Sequence, residues 1–167
     1  MRETMRAKKY LAIATAVLLT ITTLTACGGK DKVTETSASG IPTVTANVGE
    51  APTISAPAGN PPITLQTQDI IVGNGTEVLA TSTLTVHYTL MTWSNGTIVE
   101  SSWNGGQPAT FPLANVIPGW QQGLLGAKVG ARRLLVIPPD LGYGPNGSGP
   151  IGPNETLIFV VDIIGVS

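Results

Sequence analysis

The sequence predicts an α+β fold, an antiparallel sheet with one short helix packed on it, and three observations carry that prediction. Beyond about residue 61 the chain holds segments that alternate apolar and polar residues with period 2. Turn residues separate those segments, in a chain with 20 glycines, 13 prolines and only 11% charged residues. Only one stretch, "PGWQQGLLGA", looks helical, and sheet plus helix is a stable two-layer solution.

The elements follow in order. "ITLQT" and "DIIVG" are short strand candidates at the domain start. In "TLTVHYTLMTW", Leu84, Val86, Tyr88 and Leu90 share one parity, while Thr83, Thr85, His87 and Thr89 share the other. That is a half-buried strand, with His87 on its solvent side. "SNG" at 94–96 is a tight turn into "TIVESS", which predicts a hairpin. The helix starts with Pro118 at its first position, where a fixed φ fits, and Gly126 suits its end. Gly119 is expected to leave room beside Trp120. "RRLLVIP" is a strand stopped by Pro138 and Pro139. "TLIFVVDIIGV" closes the domain, with Leu157, Phe159, Val161 and Ile163 on one face.

Upstream, Arg2, Arg6, Lys8 and Lys9 precede the uncharged run "YLAIATAVLLTITTLTAC". A basic start, an apolar stretch and small residues before a boundary make an export signal over residues 1–26. The run is also about as long as a bilayer is thick, but its ending, "LTAC" at 24–27, resembles the lipobox of bacterial lipoproteins. That resemblance implies lipidation of Cys27, which is the chain's only cysteine. The residues after it are dominated by Gly, Ala, Ser, Thr and Pro, with no aromatic residue and no Leu before residue 61. Residues 27–60 are therefore expected to be a lipidated cysteine and flexible tether, with a coil's reach of about 30 Å. The domain is expected over 61–167, held outside the cytoplasm at the cell membrane, although "TVTANV" and "TISAP" have enough β character to supply an edge strand.

The inventory excludes several chemistries. A net charge of −1 gives no electrostatic case for a nucleic-acid partner. One histidine and one cysteine cannot form a zinc site of Cys and His ligands, and no cofactor or metal is expected. Carboxylates are scattered, so a glycosidase-like pair is unsupported, and no G-x-S-x-G elbow is present. What remains is aromatic and aliphatic: Tyr88 on the core parity of its strand, Trp120 at the helix start, and Tyr143 in the Gly/Pro-rich "LGYGPNGSGPIGPNET".

"VHYTL", "NGTIVESSW", "FPLANVIPGWQQGLLGAKVGARRLLVIPPDLGYG" and "TLIFVVDII" resemble the FKBP-type peptidyl-prolyl cis-trans isomerases, in order, from about Asp69 to Val166. The resemblance implies a curved antiparallel sheet of about five strands around one short helix, with a pocket between them. It implies a floor at Trp120 and walls at Tyr88, Val116, Ile117 and Phe159. Tyr143 would hydrogen-bond a ligand carbonyl, Ile151 would close one side, and Glu100 stands where the family usually has Asp. The catalytic set implied is thus Tyr88, Glu100, Trp120, Tyr143 and Phe159, with Val99, Phe111, Val116, Ile117 and Ile151 binding substrate. Val99 and Ala109 stand where aromatic residues are usual, which predicts a weaker isomerase or an altered preference before proline.

The implied partners are proline-containing segments of exported proteins, with macrolides of the rapamycin type as ligands and the membrane reached through the lipid. Two other readings stay open: a non-catalytic module or holdase that grips proline segments with the same pocket, and a sandwich-like adhesion domain with no pocket.

Overall fold

The computed structural model describes residues 40–167. The export signal, Cys27 and the first part of the expected tether lie outside the described residues.

Six strands form one antiparallel sheet: β1 (Gln66–Ile71), β2 (Thr83–Thr92), β3 (Ile98–Ser101), β4 (Ala109–Pro112), β5 (Arg132–Ile137) and β6 (Leu157–Val166). The order is β1-β5-β6-β2-β3, and β4 pairs with β2 off that path. The two strand candidates at the domain start are thus one strand, and β4 was not foreseen. Register shifts interrupt the ladders within β1, near Val86 and near Met91, and such irregularities bend and twist a sheet. The helix α1 spans Pro118–Gly123, with Pro118 in its first turn as expected. The chain then turns through Gly126, whose φ of 73° favours glycine.

The inner face of the sheet carries the alternation read from the sequence. Leu84, Val86, Leu90, Leu135, Ile137, Leu157, Phe159, Val161 and Ile163 bury themselves against Trp120 and Leu124. Helix and sheet come unusually close. A Cβ on Gly119 would overlap Cγ2 of Ile137 and lie 2.7 Å from its Cδ1, and one on Gly123 would lie 2.8 Å from Leu135. Gly119 is therefore required by Ile137 of β5, rather than by space beside Trp120. Ile137 is fully buried and has nowhere to move. G119A is expected to lower stability by about 1–3 kcal/mol through overpacking, with part of the loss recovered in G119A/I137V. Thermal unfolding checks it, and equal melting temperatures for G119A and the parent protein would refute it.

The other face departs from expectation. Met91, Trp93, Leu134, Val136, Ile158 and Val160 are buried there beneath Ile54, with Ile41 and Val44 packed alongside. Residues 40–60 are not a tether: they form a strap. An antiparallel bridge joins Val44 and Ile54, with the Thr45 N–H donating to Thr53 O (3.1 Å) and the Ser55 N–H to Thr43 O (2.9 Å). The Trp93 indole N–H donates to Gly59 O at 3.2 Å. Arg132, fully buried, fixes the strap from below. Its guanidinium grips both oxygens of Asp162 (2.6 and 2.7 Å) and donates to the carbonyls of Thr45 and Glu50 (2.9 and 2.7 Å). The physical reason is that β5 and β6 are apolar on both faces, so the outer face needs cover. The folded domain therefore begins well before residue 61.

Candidate functional site

Four rings meet above the start of α1. Trp120 is buried and stands edge-to-face with Tyr88, Phe111 and Phe159, at centroid separations of 5.7, 5.9 and 5.3 Å. Tyr88 is also edge-on to Phe111 at 6.0 Å. Each ring arrives on a different element: β2, β4, α1 and β6. Tyr88 and Phe159 do so because their parity is the inner one, and Phe111 because β4 places it opposite Leu84. Edge-to-face contacts of this kind hold rings in defined orientations.

One carboxylate faces the rings. The Tyr88 hydroxyl donates to Glu100 Oε1 at 2.5 Å. Burial pushes the Tyr88 hydroxyl well above the usual tyrosine range, and the hydrogen bond and charge of Glu100 push it further the same way. Burial also raises Tyr143, and Glu100 adds to that rise. Both phenols are thus held neutral, and both feel the same carboxylate.

The remaining expected residues frame this cluster. Val99, Val116 and Ile117 are half-buried against the same core. Ile151 is buried in a tight turn that pairs Ser148 with Ile151. Tyr143 is more exposed, on the loop between β5 and β6. Ala109, small and half-buried, pairs with Val86. The indole N–H of Trp120 is buried with no hydrogen-bond partner among the described residues.

Three supporting residues were not anticipated. The Gln121 amide donates to the carbonyls of Ala114 and Val116 (3.3 and 2.8 Å), tying the segment that carries Val116 and Ile117 to the helix. Arg133 donates to the carbonyls of Gly123 and Leu125 (3.0 and 3.2 Å) while gripping Asp69. It thereby satisfies carbonyls that the end of a short helix leaves free. Ser102 touches the Tyr88 backbone. A long polar side chain beside a helix terminus is a weak sequence signal for the first two; nothing local marks Ser102.

His87 differs from its expected place. It is half-buried rather than solvent-facing, stacked on Trp103 at 4.0 Å with a 16° interplanar angle. Its Nδ1 lies 3.0 Å from Ser102 Oγ. The Trp103 ring on the short turn after β3 provides this cover, which period-2 reading of β2 alone could not foresee. Among the described residues no group of His, Cys, Asp and Glu side chains could hold a metal ion.

Comparison with known proteins gives concordant results. The family model for FKBP-type peptidyl-prolyl cis-trans isomerases matches residues 75–164. The chain is 46% identical over 121 residues to the FK506-binding protein of Streptomyces anulatus, covering 70% of this chain and 98% of that one. It is 39% identical over 136 residues to the outer membrane protein MIP of Legionella longbeachae, covering 81% of this chain and 56% of that one. Among solved structures, FkpA from Escherichia coli matches with a TM-score of 0.59 at 38% identity, over 62% of this chain and 48% of that one.

Proposed function

Because this chain belongs to the FKBP-type peptidyl-prolyl cis-trans isomerase family, we propose that its isomerase reaction takes place in the aromatic cup above Trp120, on proline-containing segments of exported proteins. The chain is an isomerase of Xaa-Pro bonds. The observation that supports this cup as the site is its composition: four interlocked rings, aliphatic walls, and one carboxylate already engaged by Tyr88.

The reaction needs no bond to be made. Rotation about the amide is slow because resonance gives the C–N bond partial double-bond character, with a barrier of about 18–20 kcal/mol. For Xaa-Pro the two isomers are close in energy and interconvert over tens to hundreds of seconds. The planar form carries more negative charge on oxygen and gains more from water than the twisted form does. Proline resting on the Trp120 indole, between Tyr88, Phe111 and Phe159, exchanges water for ring edges and aliphatic groups. That exchange disfavours the planar form relative to the twisted one. Glu100 holds the Tyr88 hydroxyl, so Tyr88 presents a ring edge to the substrate. Tyr143, neutral and partly exposed, is free to donate to a substrate carbonyl and fix the segment in register. Val99, Val116, Ile117 and Ile151 shape the walls. Val99 and Ala109 leave one wall without an aromatic side chain, which weakens grip on the residue before proline.

The same cup would take macrolide ligands of the rapamycin type, and the lipobox-like ending at Cys27 supports a lipid anchor at the outer side of the cell membrane. The test is an isomer-specific proteolysis assay over a series of Xaa-Pro peptides. Acceleration is expected, with a flatter dependence on Xaa than an aromatic wall would give, and with loss of activity when a macrolide saturates the cup. Binding of peptides with no acceleration for any Xaa would overturn the catalytic reading in favour of a holdase.

A further inference from the structure

The outer edge of β2 is served by two short strands in succession. β4 pairs with Thr83 to Val86, and β3 pairs with Thr89 to Met91. Between them, His87 and Tyr88 have no strand partner on that side among the described residues. On the opposite side Tyr88 faces Val161 of β6. The main-chain groups of Tyr88 nevertheless find partners, in the turn that follows β3. The Tyr88 N–H donates to Ser102 Oγ at 2.9 Å. Ser102 Oγ also lies 3.3 Å from the Tyr88 carbonyl and 3.0 Å from His87 Nδ1, and Ser101 Oγ approaches the same carbonyl at 3.4 Å.

We infer that Ser102 is a positioning residue for the isomerase site, replacing the strand partner that Tyr88 lacks on this edge. Tyr88 is held at two ends by one short stretch of chain. Ser102 takes its backbone N–H, and Glu100, two residues earlier, takes its hydroxyl. An N–H that is partly buried, as this one is, costs free energy when its acceptor is removed. Without the Ser102 oxygen, β2 would shift toward another partner and carry the Tyr88 ring away from Trp120. Small displacements of groups that contact a reacting bond have large kinetic effects. The inference rests on Tyr88 and Glu100 lying at the reacting bond, as argued above.

A double-mutant cycle tests it. S102A is expected to lower kcat/KM about five- to twenty-fold, and S102T, which keeps the hydroxyl, to restore it to within about twofold. In a Y88A background, where the ring that Ser102 positions is already gone, S102A should add less than about a twofold further loss. An equal loss in both backgrounds, or an S102T as poor as S102A, would mean that Ser102 only stabilises the fold, and would overturn the inference. If Y88A itself leaves kcat/KM unchanged, Tyr88 is not a site residue; the role given to Ser102 then falls with it, while the isomerase activity stands. The unaltered protein supplies an independent measurement: the Tyr88 amide should exchange its hydrogen slowly despite lacking a strand partner on that edge. Exchange at the rate of a free amide would also overturn the inference.

Discussion

D162A lowers the unfolding free energy by about 3–5 kcal/mol, the largest loss expected from any single change on the outer face. Arg132 is fully buried, and Asp162 accepts two of its hydrogen bonds. Removing the carboxylate leaves a guanidinium in the interior with only two backbone carbonyls to receive it. Arg132 cannot relieve the situation by losing its proton. It must reach water, and its route out displaces the strap whose Thr45 and Glu50 carbonyls it now holds. The apolar face of Met91, Leu134, Val136, Ile158 and Val160 is then partly uncovered. Urea unfolding should show a lower midpoint, with the slope reporting any loosening of the strap. Asp162 and Arg132 lie on the face opposite Trp120. Activity per folded molecule should therefore stay close to that of the parent protein. A loss below about 1 kcal/mol, the range of exposed pairs, would show that water already reaches the pair.

W120A removes both a core anchor and the floor of the cup. The indole touches three rings and closes the core beneath them. Stability should fall by about 3–5 kcal/mol, as for other large aromatic truncations. The catalytic loss should exceed what stability explains: kcat/KM is expected to drop by about a hundredfold or more, because water enters where the proline would rest. W120F is the informative partner. It keeps an edge-to-face ring and discards an indole N–H that is buried without a partner among the described residues, so it should retain much more stability than W120A. Progress curves at a temperature where all variants are folded would decide. Near-parental kcat/KM for W120A would move the reaction away from this cup.

Much of the inner architecture was legible in the sequence. Alternation in "TLTVHYTL" placed Leu84, Val86, Tyr88 and Leu90 inward, and their burial agrees. Pro118 marked the helix start. The ring cluster was legible through the resemblance, since Tyr88, Phe111, Trp120 and Phe159 were all named and all meet. β4 was not, because "ATFP" is too short to show a period. The strap was legible only in part: the β character of "TVTANV" and "TISAP" marked the two segments that the Val44–Ile54 bridge joins, but not their place over the outer face. Its composition argues for disorder, and Ile41, Val44 and Ile54 are too few to signal packing by themselves. A hint did exist in β5 and β6, where "LLVI" and "LIFVV" are apolar without alternation. Such runs indicate strands covered on both sides.

By itself, then, the sequence determined the place of the helix and of most strands, which side chains face the helix and, through the resemblance, the family. These are properties of near neighbours along the chain: period, turn residues and inventory. Tertiary structure alone decided what covers the outer face, why Gly119 must be glycine, where His87 lies and how Tyr88 is held. Arg132 meets carbonyls 82 and 87 residues away, and Ser102 meets Tyr88 across the gap between two strands. Side-chain period reports which face a residue takes but not what arrives to cover it, because burial is settled by whichever distant segment brings enough apolar area and enough acceptors to that face.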